Sequence, residues 1–73
     1  MAGVQVKDYA LAIGSQLATI EDNIARCMGM VMQAAINSQY GVLESASREA
    51  AELHSNVQTL ESLIVDMRAE MQR

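Results

Sequence analysis

The side chains able to do chemistry are few and lie far apart in the chain. His54 is the only histidine and Cys27 the only cysteine. One imidazole and one thiol fall short of a zinc set, which takes three or four such ligands. Cys27 has Ile24 and Val31 one turn away on either side and no cationic pair to lower its pKa. It reads as a small buried hydrophobe rather than a nucleophile. Glu21 and Asp22 are adjacent, which on a helix points them at different faces instead of at one substrate. Glu44, Glu49, Glu52, Glu61, Asp66 and Glu70 are strung along the second half of the chain and read as a solvated surface. Gly3, Gly14, Gly29 and Gly41 are too dispersed for a phosphate-binding loop. The residues therefore argue against an enzyme, a metal, a cofactor or a small-molecule substrate.

The elements that carry these residues follow from composition. A chain of 73 residues has room for one domain, residues 1–73, and domains of this size bury only ~60% of their unfolded surface. Oligomerisation is a common remedy for so small a core. Proline is absent, the aromatics are Tyr9 and Tyr40, and Ala, Met, Leu, Glu and Gln dominate. That is a helical composition, and the fold class it predicts is all-α.

Charge and cysteine usage narrow the surroundings. A net charge of −4 with five Lys and Arg gives no basic face for nucleic acid. A lone cysteine cannot close an internal disulfide, and a reducing, cytoplasmic compartment is the simplest setting. Residues Met1 to Asp8 lack the charged start and apolar run of a signal peptide. Between Arg26 and Glu44 lie 17 residues without a charge. A membrane span needs ~20, and Gln33, Asn37, Ser38 and Gln39 interrupt this run, so it belongs inside a protein contact.

Hydrophobic periodicity is the strongest signal. Steps of four and three from Val6 reach Ala10, Ile13, Leu17, Ile20, Ile24, Cys27, Val31 and Ala34, all apolar. Steps of three and four from Leu43 reach Ala46, Ala50, Leu53, Val57, Leu60, Ile64, Met67 and Met71, again all apolar. Each run has the spacing of a coiled-coil seam. Carried forward, the first run would place Ser38, Gly41 and Ser45 in the core, so the two runs do not share one phase. The break falls at residues 37–41, where Gly41 can supply a left-handed helix end and Asn37 or Ser38 can turn the chain. The pattern predicts an antiparallel two-helix hairpin, with helices over about residues 5–37 and 42–72 and a turn near 37–41. It pairs Ala34 with Ala46 or Leu43, Ile24 with Leu53, and Val6 with Met71. A single long kinked helix is the alternative.

The first helix carries a second stripe, Leu11, Gly14, Ala18, Ala25, Met28, Met32 and Ala35, interrupted by Glu21. A helix in a two-stranded hairpin needs one apolar seam, and a wider face implies a further neighbour. These seven residues are the candidate protein interface. Its expected partner is a second copy or another helical protein.

Two resemblances bear on which. Residues 25–34, Ala-Arg-Cys-Met-Gly-Met-Val-Met-Gln-Ala, with Gly41 following, resemble the Ala-x-x-Met-Gly-x-x-x-Gln pattern of the Reb (killing-trait) family, and Gln5-Val6-Lys7-Asp8 looks like its polar opening segment. Those small bacterial proteins assemble into refractile bodies, so the resemblance implies self-assembly. Gln39-Tyr40, followed by Val42 and a final helix, is similar to the small acidic co-chaperones of type III secretion needle subunits. That resemblance implies a helical hairpin whose methionine-rich stripe docks a partner.

Overall fold

A computed structural model describes residues 5–73. Residues 1–4, including Gly3 and half of the segment read above for a signal peptide, lie outside the described residues. Two α-helices, α1 (Val6–Asn37) and α2 (Tyr40–Met71), pack along each other as a hairpin measuring 57 × 16 × 14 Å. The fold class is all-α, as composition and periodicity predict, and the helix boundaries fall within two residues of those expected.

Each helix end has an identifiable cause. At the start of α1 the backbone N–H of Gln5 donates to the Asp8 carboxylate at 3.2 Å. An acidic side chain in the first turn also complements the helix dipole. At the other end Ser38 adopts the left-handed conformation, φ 53° and ψ 41°, and the N–H of Gln39 donates to the Ala34 carbonyl at 3.1 Å. The N–H of Ser38 donates to the same carbonyl, so the Ala34 oxygen accepts both bonds as the helix ends. The turn is thus made by Ser38 and Gln39. Gly41, expected to supply the left-handed residue, sits instead in the first turn of α2. Ser38 takes the left-handed position, three residues before the glycine. Across the turn, Gln33 Nε2 donates to Gln39 Oε1 at 3.2 Å.

The inner seam is where the structure departs most from the apolar pattern. On α1 the inner seam runs Val6, Tyr9, Ile13, Gln16, Ile20, Asn23, Cys27, Met30 and Ala34, with Ala12 half-buried beside it. On α2 it runs Val42, Ala46, Glu49, Leu53, Asn56, Leu60, Leu63, Met67 and Glu70, with Ser45 half-buried beside it. Every second member matches the expected seam. The others are displaced by one residue, so Ala10, Leu17, Ile24 and Val31 on α1 are exposed, as are Leu43, Ala50, Ile64 and Met71 on α2. Of the displaced set only Val57 remains half-buried. Both helices are rolled so that polar side chains face inward and a row of apolar ones faces out.

Candidate protein–protein interface

The roll is explained by what Gln16, Asn23, Glu49 and Asn56 do between the helices. Asn23, with none of its surface exposed, donates from Nδ2 to Glu49 Oε1 at 3.0 Å and accepts from Asn56 Nδ2 at 2.6 Å. Gln16 Nε2 donates to the Asn56 backbone carbonyl at 2.9 Å. Arg26 Nε reaches the same Glu49 oxygen at 2.6 Å from the edge of the seam. Among the described residues no buried side-chain nitrogen or oxygen lacks a partner. A connected, satisfied network of this kind avoids the desolvation penalty of lone buried polar groups. Its bonds also tie α1 to α2 at one register. The Arg26 guanidinium, then the Asn23 amide, hold the Glu49 carboxyl below the usual carboxylate range, and Glu49 in turn raises Arg26.

Turning the polar residues inward leaves an apolar flank. In an antiparallel pair, the positions just C-terminal to the displaced seam residues lie on the same side of both helices. On that side run Ala10, Leu17, Ile24 and Val31 from α1 and Leu43, Ala50, Val57, Ile64 and Met71 from α2, with no charge among them. Shallow grooves confirm the juxtaposition: Val31, Ala34 and Ala35 share one with Tyr40 and Leu43, and Ile24, Met28 and Met32 share another with Leu53. Near the open end Ile64, Met67 and Met71 line a third together with Arg68 and Gln72. The opposite flank carries Thr19, Arg26 and Gln33 against Ser45, Glu52, Thr59 and Asp66.

The seven expected interface residues are all exposed and continue this flank around the back of α1. Leu11 keeps 72% of its surface open and Met28 65%. A Cβ added at Gly14 or Gly29 would meet nothing within 4 Å, so these glycines leave room rather than fill a contact within the hairpin. The periodicity reading missed the α2 half of the surface, because it assigned Leu43, Ala50, Ile64 and Met71 to the inner seam.

The remaining chemical candidates fall away from one another. His54 is exposed on α2. Cys27 is a free, half-buried thiol whose Sγ lies 3.8 Å from the Ala46 carbonyl. Glu49 and Glu70, both expected on the solvated surface, are half-buried, and Glu49 is drawn into the seam by Asn23 and Arg26. Among the described residues no cluster of three His, Cys, Asp or Glu could hold a metal ion, and no helix is long and apolar enough to cross a membrane. No protein-family model, curated protein or solved structure matches the chain.

Proposed function

We propose that the chain is a non-enzymatic helical assembly subunit that packs through the exposed apolar face of α1 into a homo-oligomer, in a reducing compartment such as the cytoplasm. The observation that carries this reading is the open surface of Leu11, Leu17, Ile24, Met28, Val31 and Met32 along a single helix. A contiguous apolar stripe of that length marks an interaction site or an aggregation liability. Self-assembly is also what the Reb resemblance implies. Size-exclusion chromatography with light scattering tests it: an oligomer is expected at tens of micromolar, and a clean monomer there overturns the proposal. Met28→Glu should reduce assembly while leaving helicity intact, since its side chain makes no contribution to the inner seam.

A second reading, a small chaperone or adaptor for another helical protein, draws on the exposed Met28 and Met32, because methionine side chains adapt to differing partners. It predicts a chain that aggregates alone and becomes stable in a one-to-one complex on co-expression. A discrete homo-oligomer with no co-purifying partner counts against it.

A further inference from the structure

Each helix carries two heptad rows, and the two rows overlap. Ile13, Ile20 and Cys27 belong to both rows on α1, as Ala46, Leu53 and Leu60 do on α2. The other half of each row differs. On α1 it is Gln16, Asn23 and Met30 or Leu17, Ile24 and Val31, and on α2 Glu49, Asn56 and Leu63 or Ala50, Val57 and Ile64. In both helices the second set is the first moved on by one residue. We propose that the hairpin has a second packing, entered when the Asn23–Glu49–Asn56 hydrogen bonds open, in which Leu17, Ile24 and Val31 mesh with Ala50, Val57 and Ile64. Such a switch is a property of one hairpin and holds whether or not the chain assembles.

The register pairs each outer side chain with another of the same chain. Asn23 lies between Glu49 and Asn56 and bonds to both, and one residue on, Ile24 stands level with Ala50 and Val57. Gln16 bonds to the Asn56 carbonyl, and Leu17 correspondingly stands level with Val57. Consecutive helix residues are about 100° apart, so exchanging one half-row for the next turns each helix by about 50°. In antiparallel helices, equal turns about their own axes are opposite turns of the pair, as in meshed gears. Both therefore carry the same apolar flank inward and the polar row out toward Thr19, Arg26, Glu52 and Thr59. The outer row already stands at the rim of the seam. Leu17, Ile24, Val31, Leu43 and Ile64 keep 42–48% of their surface, whereas Leu11 and Ile36, farther round α1, keep 72%.

Neither packing strands a polar group. In the first, the inward amides and Glu49 bond to one another and none is left without a partner. In the second they reach water, and the half-row that replaces them has no polar side-chain atom. Two self-consistent packings of one sequence make a bistable element. The hydrogen bonds are its latch: closed, they leave the apolar flank open to a partner, and opened, they let the hairpin cover that flank itself.

Thiol labelling of the full chain tests the switch, with Cys27→Ser removing the native thiol and one reporter placed by Leu63→Cys or Ile64→Cys. Leu63 is half-buried in the first packing and Ile64 exposed. Asn23→Asp sets a second carboxylate against Glu49 and so favours the packing in which both reach water. With that change the helical circular-dichroism signal should persist. Labelling should slow at position 64 and quicken at position 63, each about tenfold for a shift from roughly 10:1 to 1:10. Any other pattern overturns the second packing. Protection at position 64 alone, which self-assembly would give, does so while leaving the assembly reading intact. Should Asn23→Asp lose helicity, a disulfide trap decides, with Ile24→Cys and Ala50→Cys in the Cys27→Ser chain and the latch unaltered. An intrachain bridge formed by dilute protein in oxidised glutathione, with helicity kept, is expected; its absence overturns the second packing.

Discussion

Ile20 and Ile24 carry the same side chain one turn apart on α1, yet Ile20 keeps 8% of its surface exposed and Ile24 48%. Their partners across the hairpin differ in the same way: Leu53 and Leu60 turn inward, while Ala50 and Ile64 turn out. Hydrophobicity alone does not separate the two rows. The difference lies in the polar residues beside them, since the inward row shares its side of the helix with Gln16 and Asn23, which find partners only at Glu49 and Asn56. The inner seam is therefore defined by matched hydrogen bonds, and the outer flank by what that matching leaves over.

Substitutions at the two isoleucines break this comparison most directly. Ile20→Ala should cost about 2–4 kcal/mol, as large-to-small changes in cores do, and on so small a domain should abolish the cooperative thermal transition followed by circular dichroism. Ile24→Ala should leave the stability of the isolated hairpin within about 1 kcal/mol, the effect falling on assembly instead. Equal losses at both positions would mean that the helices are not rolled as described. Next in size, Asn23→Ala strands the Asn56 amide and leaves Glu49 to Arg26 alone, and should cost about 1–3 kcal/mol in urea unfolding. Replacing Asn23 and Asn56 together by leucine should be nearly neutral or stabilising. That double variant is also expected to lose the single register, which would show as broadened amide resonances.

The smallest effect is on pH. Because the folded state holds the Glu49 carboxyl below its ordinary value, the unfolded chain binds the proton more readily. The resulting stabilisation is complete above the ordinary carboxylate pKa of about 4.3 and is lost as pH falls through the lower folded value. The urea midpoint should therefore drop on acidification below about pH 4, and Glu49→Gln should flatten that dependence. An unchanged slope would place Glu49 outside the network.

Much of this was legible in the residues, and the limits were physical ones. Two long helices and a break near Asn37 follow from propensity and phase, because nothing in the chain competes with helix. The left-handed turn residue was misplaced, since glycine is the default at such positions and Ser38 takes it only with Gln39 N–H bonded to Ala34. The seam was half legible: Val6, Ile13, Ile20, Cys27 and Ala34 are common to both possible rows. What decides between the rows is the spacing of Gln16 from Asn23 and of Glu49 from Asn56, seven residues in each helix. That is a heptad signal written in polar residues, and a search for apolar seams passes over it.

The tight turn at Ser38 and Gln39 also sets an order of events in time. Closing a loop costs more as it lengthens, by about 0.6 kcal/mol per doubling, so contacts beside the turn form first. Cys27 meets Ala46 across 19 residues of chain, whereas Gln16 meets Asn56 across 40. The hairpin should accordingly zip from Ser38 outward, and folding by such local steps is fast. Val42→Ala, next to the turn, is expected to slow folding, and Leu63→Ala, toward the open end, chiefly to speed unfolding. Stopped-flow chevrons of the two variants would show whether the molecule closes like a zipper or collapses at once along its length.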